Sequence, residues 1–221
     1  MPTIAIVGAG PGLGASLGKV FGGHGYDVAL ISRSKDNLDA LAASLTEHGV
    51  TAEGFAADVA DPASLTAALE TATARFGRID VLEFSPYAGL VQVSPAEVTI
   101  DNLAPAIQEI LYGAVAATQA VLPAMIEAGA GTLLYTTGGG AISPYPFLAT
   151  LNAAQAGLRN WVHNLHNALA DQGIYAGVVA VNAMISDNAP DGYPAIAPDA
   201  LARHYWDLHT HHSQTELVLP A

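Results

Sequence analysis

Four glycines, Gly8, Gly10, Gly12 and Gly14, crowd the stretch IVGAGPGLGAS directly behind the apolar run TIAIV (3–7). Glycine lets a chain turn tightly and bring bare backbone N–H groups against a phosphate. The N-terminus of a following helix adds its positive end to the same spot. Spacing narrows the reading. A GxGxxG pattern begun at Gly8 fails because Leu13 stands at its third glycine, whereas GxxxGxG is met by Gly8, Gly12 and Gly14. A shifted GxGxxA through Gly10, Gly12 and Ala15 starts too far past the apolar run. Between a strand and a helix, such a turn cradles the pyrophosphate of a dinucleotide.

That turn needs a sheet behind it. The runs TIAIV (3–7), DVALIS (27–32), TAEGFAA (51–57), IDVLEF (79–84), GTLLYTT (131–137), YAGVVAV (175–181) and ELVLP (216–220) have strand composition. Helix-patterned segments at about 12–24, 35–48, 62–76, 101–128, 147–172 and 198–209 separate them. Alternation of this kind demands crossover helices and a parallel sheet covered on both faces, which is why the strands are apolar throughout. Asp61–Pro62 offers a capping carboxylate followed by a proline at the first helical position, and Pro198–Asp199 marks another helix start. The expectation is a single α/β domain over residues 1–221, a doubly wound, Rossmann-like parallel sheet of about seven strands with helices on both faces.

With its GxxxGxG turn the chain resembles the short-chain dehydrogenase/reductase family, although Val7 stands where that family usually has Thr. FGRIDVL (76–82), AATQAVLPAM (116–125) and GTLLYTT (131–137) match family landmarks in order, so the likeness runs along nearly the whole chain. The resemblance assigns cofactor binding to Gly8, Gly12, Leu13 and Gly14, to Ser32 and Arg33 after the second strand, and to Asp58 and Val59 after the third. Ser186 stands where a hydroxyl meets the nicotinamide end. An acidic residue after the second strand binds the adenosine ribose hydroxyls, whereas a cationic Arg33 suits a 2′-phosphate, so the implied cofactor is NADP(H). Asp58 is placed to accept from the adenine amino group.

Family members move a hydride between nicotinamide and a carbonyl carbon. A Tyr protonates the oxygen, a Lys four residues later on the same helix face tunes that Tyr, and a Ser and an Asn complete the set. The corresponding positions here are Leu151 for Tyr, Gln155 for Lys, Gly138 for Ser and Ile110 for Asn. The AGL segment at 156–158 fixes the first two, and Gly113 and Thr118 fix the last. Neither Leu nor Gln donates a proton. A positioned general acid is worth ~10²–10⁴ in rate, so its loss leaves about 3–5 kcal/mol of barrier uncovered. Thr137, Tyr145 in GAISPYPF and Tyr112 are the neighbouring hydroxyls, each read as pocket lining or as a substitute donor, with Thr137 and Tyr145 the catalytic candidates. The turn after the fourth strand has drifted to SPYAG (85–89), so the adenosine half of the site is better specified than the nicotinamide half.

Composition limits the partners. Seven Lys and Arg against 20 Asp and Glu give a net charge of -13, which repels a nucleic-acid backbone. No apolar run reaches the ~18 residues of a membrane span, and the absence of cysteine removes thiolate chemistry. His204, His209, His211 and His212 in HYWDLHTHH have no recognisable metal spacing and read as a solvated helix end, so no metal is expected. His163, His166 and Trp161 read as core or interface, and 186–198 is short and turn-rich for a substrate lid, with Tyr193, Tyr205 and Trp206 either covering a small pocket or finishing the core. The reading is a cytoplasmic, NADP(H)-binding protein acting on a small-molecule substrate, an atypical oxidoreductase without the usual Tyr–Lys acid. Its rivals are a non-redox enzyme of the same fold, of isomerase or cyclase type, and a catalytically silent nucleotide-binding protein. A homodimer or homotetramer follows from the resemblance alone.

Overall fold

The apolar runs read from the sequence assemble into one parallel sheet. The computed structural model describes residues 1–87 and 89–219. Its strands are β1 (Thr3–Val7), β2 (Asp27–Ser32), β3 (Ala52–Ala56), β4 (Val81–Phe84), β5 (Gly131–Gly138), β6 (Ile174–Val181), β7 (Met184–Ile185), β8 (Ala195–Ile196) and β9 (Glu216–Leu219). Seven of them line up as β3-β2-β1-β4-β5-β6-β9, and every pairing is parallel. Every residue of β1 and β6 is buried, as two covered faces require. The order reverses between β1 and β4, and that switch point opens a crevice at the C-terminal ends of the strands.

Helices α1 (Leu13–Gly23), α2 (Lys35–Glu47) and α7 (Pro198–His211) cover one face, meeting it through Leu17, Phe21, Leu38, Leu201 and Tyr205. Helices α3 (Pro62–Phe76), α5 (Gly113–Ala128) and α6 (Ala149–Leu169) cover the other through Leu69, Val121, Leu158 and Val162. Asp61 caps α3 as anticipated, accepting from Ala63 N and Ser64 N with Pro62 next in line. Asp80 lies before β4 rather than in it, and its carboxylate accepts from Thr3 N at 2.8 Å. Pro220, at the end of the last expected strand, and Ala88, within SPYAG, lie outside the described residues.

The helix expected at 101–128 comes in three pieces. A short α4 (Ile100–Ala106) contains Pro105, a π-helical turn spans Ile107–Tyr112, and α5 resumes at Gly113. Proline supplies no N–H to the helical ladder, and the turn beside it widens instead of breaking. Gly113 then passes close to the β3–α3 loop, since a Cβ there would stand 2.9 Å from Val59 O. Taken as one stretch, Ile100–Ala128 is long and apolar enough to cross a membrane, with mean hydropathy 1.4. Asp101, Asn102, Gln108 and Glu109 interrupt its apolar residues, so it contains no continuous apolar run of that length. Here α5 lays Ala114, Ala117, Val121 and Met125 into the core. The turn-rich segment 186–198 carries order, because its β8 pairs in parallel with β7 just before it.

Candidate functional site

The glycine turn has the shape its spacing predicts. Gly8 adopts φ +95°, a region closed to most side chains, and a Cβ on it would stand 2.6 Å from Pro86 N. Gly14 lets α1 close against Ala9, whose Cα would lie 2.9 Å from any added Cβ. Gly12 has open space where a side chain would go, and as the N-cap of α1 it offers no side-chain acceptor. Ala15 N donates to Gly10 O at 2.9 Å, and no side chain caps the turn, an opening of the kind an anionic phosphate fills at a helix N-terminus. Leu13 is buried. The residues fit a dinucleotide's pyrophosphate.

At the sheet's edge Arg33 and Asp58 meet. With Ala56, Ala57 and Ser64 they line an open hollow of ≈ 320 Å³. They converge because β2 and β3 are neighbours in register, Ser32 opposite Ala56, so their C-terminal loops share one rim. Arg33 is exposed and makes no ion pair among the described residues. Asp58 Oδ1 accepts from Ala60 N at 3.0 Å, which orients the carboxyl, and Ser64, missed in the sequence, accepts from Asp58 N at 3.4 Å. Ser32 is half-buried beside them, and its carbonyl accepts from Ala57 N. Val59 packs partly against the core.

Beyond the switch point, three consecutive glycines end β5, and each abuts an amide side chain. Gln155 Oε1 accepts from Gly138 N at 3.0 Å. A Cβ at Gly139 would stand 2.6 Å from Asn182 Oδ1, and one at Gly140 would stand 2.1 Å from Asn152 Oδ1. Asn152 Nδ2 donates to Tyr145 O, and the Tyr145 hydroxyl donates to Asn182 Oδ1 at 2.5 Å. The helix beginning at Ala149 carries Leu151 and Gln155 on its first two turns. Gln155 lies against Gly138. Ile110 sits in the π turn, half-buried against the core. The chain has two lysines, Lys19 on α1 and Lys35 on α2, neither of them on the elements that form this edge.

The expected proton donors separate. Tyr145 is 38% exposed on the rim, whereas Thr137 is buried at 2% with its hydroxyl unpaired among the described residues. Along β5, Thr136 points into the α1/α7 layer and Thr137 turns the other way, into the layer of Tyr135. Tyr112 is exposed. Ser186 Oγ accepts from Asn188 N in the β7 arm. In the segments that follow β4, β5 and β6, the apolar or aromatic Tyr87, Val91, Ile142, Phe147, Met184 and Tyr193 are exposed.

Two buried ionisable groups were not foreseen. Glu83, in the middle of β4, is wholly buried, and desolvation pushes its carboxyl up to about 8 against the pull of bonds from Thr136 and Ser85. A lone glutamate inside an apolar strand was the available signal. His209, expected at a solvated helix end, is half-buried instead: its ring bonds Tyr26 OH at 2.7 Å and Thr132 Oγ1 at 2.9 Å. Burial brings it down to about 4. It lies beside the start of β5, at the opposite edge from the glycine turn. Tyr205 and Trp206 complete the core around Phe21 and β5, while Tyr193 stays exposed.

Comparison with known proteins places this geometry. Residues 2–191 match the short chain dehydrogenase family. A D-threitol dehydrogenase of Mycolicibacterium smegmatis is 35% identical over 130 residues, 58% of this chain and 49% of the relative, so the chain spans about half of that protein's length. The L-sorbose reductase of Gluconobacter frateurii, solved with NADPH and L-sorbose, superposes with TM-score 0.89 at 21% identity over 99% of this chain and 94% of its own. An NADPH-bound short-chain oxidoreductase from Pseudomonas aeruginosa PAO1 with an atypical catalytic centre has TM-score 0.88 at 19% identity, over 98% and 94% of the two chains.

Proposed function

We propose, from the premise that this chain belongs to the short-chain dehydrogenase family, that it is an NADP(H)-dependent oxidoreductase working without the family's Tyr–Lys acid. The observation that carries the reading is the amide-lined edge: Gln155 holds Gly138 N, and Asn152 and Asn182 pack on the next two glycines. These groups donate and accept hydrogen bonds but release no proton at neutral pH. The Pseudomonas structure with an atypical centre supports such a variation on this fold.

The chain's own residues divide the work. Gly8, Gly12, Leu13 and Gly14 take the pyrophosphate on the α1 terminus, Arg33 neutralises a 2′-phosphate, and Asp58 accepts from the adenine. Ser32, Val59 and Ser186 shape the walls. The bound cofactor supplies the hydride. Exposed apolar side chains in the loops after β4, β5 and β6 would contact a small organic substrate, and Tyr145, held by its bond to Asn182, lines the same edge. An acceptor that already carries its charge, such as an iminium, becomes a neutral amine on receiving hydride and needs no proton. An enone becomes an enolate, which solvent protonates. By the same family membership we assign the active form as a homodimer or homotetramer.

Fluorescence titration with NADPH, followed by turnover with matched ketones, imines and enones, tests the reading. Tight NADPH binding with oxidation by imines or enones supports it. Binding without oxidation by any acceptor means a silent or non-redox protein.

A further inference from the structure

Glu83 has 0% exposure, and nothing above uses it. Its Oε1 lies 2.9 Å from Thr136 Oγ1 and its Oε2 lies 3.0 Å from Ser85 Oγ, while Thr136 Oγ1 is 2.5 Å from the Tyr205 hydroxyl. The neighbours in register are Ile6 of β1 and Leu134 of β5, and α1 presents Leu13 and Leu17 to the same layer. Tyr205 is the titratable group that meets the carboxyl from α7. Lys19 on α1 and Asp199, Arg203 and Asp207 on α7 are exposed, Asp199 being engaged by Ser16. His204 is half-buried on α7, and His209 is held by Tyr26 and Thr132.

Proton counting fixes the direction of this chain of bonds. With Glu83 neutral there are four protons, on Tyr205, Thr136, Glu83 and Ser85, for three contacts. Tyr205 is fully buried with Thr136 as its partner, so it donates to Thr136. Thr136 then donates to Glu83 Oε1, and the acid proton goes to Ser85 Oγ. The Ser85 proton is the one left over, and it points out of the chain. With Glu83 ionised, three protons serve three contacts, and Ser85 turns inward to donate to the carboxylate. Ser85 stands directly past β4 and is half-buried. Its N–H donates to Val7 O at 2.9 Å, and its carbonyl carbon would be 2.7 Å from a Cβ on Gly8. The spare donor thus sits beside the phosphate-binding turn.

We propose that neutral Glu83 is a positioning residue that holds Ser85 as a hydrogen-bond donor to an oxygen of the bound dinucleotide, an inference resting on the nucleotide-binding reading above. Burial keeps the acid neutral around pH 7, and the donor is withdrawn in the alkaline range as the carboxyl ionises.

The test is the NADPH dissociation constant from about pH 6.5 to about pH 9.5, by fluorescence, with circular dichroism at each pH to verify the fold. Affinity of the unaltered protein falls about tenfold across the alkaline half. Glu83→Gln, whose amide donates to Ser85 and whose carbonyl accepts from Thr136 at every pH, keeps its neutral-pH affinity throughout. Ser85→Ala starts about tenfold weaker and stays flat. An alkaline fall in Glu83→Gln equal to that of the unaltered protein overturns the proposal, as does Ser85→Ala that binds and titrates unchanged. If Glu83→Gln does not fold, Ser85→Ala decides alone. Failure of NADPH to bind at any pH overturns the nucleotide-binding reading and this inference with it. Binding with no pH dependence overturns this inference alone.

Discussion

Gln155 Oε1 and Gly138 N are 3.0 Å apart, joining the second turn of α6 to the end of β5 through one hydrogen bond. A side chain at 138 would find Gln155 Oε1 3.1 Å from its Cβ, so Gly138 and Gln155 fit one another. Installing the familiar acid therefore means changing them together. The combined variant Gly138→Ser, Leu151→Tyr, Gln155→Lys is expected to gain about 10²–10⁴ in NADPH-dependent reduction of a simple ketone. Gln155→Lys alone strips Gly138 N of its acceptor and gains nothing. Initial rates of NADPH consumption compare the two.

Arg33 stands exposed on the hollow it shares with Asp58, with no competing carboxylate bound to it among the described residues. Arg33→Ala is expected to weaken NADPH about tenfold or more while changing NADH affinity little, because a charge-assisted bond to the 2′-phosphate is lost. Parallel titrations with the two cofactors measure the ratio.

The buried Glu83 makes stability depend on pH. Its carboxyl sits at about 8 in the folded protein against 4.5 ordinarily, so its contribution is complete below 4.5 and is lost as pH rises through 8. At full ionisation the loss is roughly 3–5 kcal/mol. Urea unfolding across this window is expected to fall steeply for the unaltered protein and less steeply for Glu83→Gln.

His209 acts from the acid side. Folding lowers it from 6.5 to about 4, so unfolded chains take up the proton first, and stability present above 6.5 drains away as pH falls toward 4. Allowing for its partly exposed edge, the effect is about 1–2 kcal/mol. His209→Gln is expected to flatten this acid limb in thermal melts, at the expense of the bonds to Tyr26 and Thr132 near neutrality.

Thr137 keeps a buried hydroxyl without a partner among the described residues. Thr137→Val, of the same shape, is expected to raise stability by about 1 kcal/mol, since an unpaired buried polar group is removed. Denaturant midpoints measure it, and a loss of stability means the hydroxyl has a partner after all.

What the sequence made legible is what repeats or alternates. Apolar runs gave the parallel strands, Gly8, Gly12 and Gly14 gave the turn, and Arg33 and Asp58 converge because each ends one of two adjacent strands. The π turn was hidden because the helix-like pattern continues on both sides of Pro105. Counting absent groups at 138, 151 and 155 said nothing of how the amides there would pair with glycines. Glu83 was masked by the hydrophobicity of its strand. His209 finds Tyr26 across 183 residues of sequence, a distance no local pattern spans.

The most direct measurement is single-turnover oxidation of prebound NADPH by an iminium and by the ketone of the same carbon skeleton. The account predicts rapid oxidation by the iminium and a rate about 10² or more slower with the ketone, which alone needs a proton in flight. Equal rates, with the ketone's insensitive to Tyr145→Phe, would show that an acid is present at this edge after all.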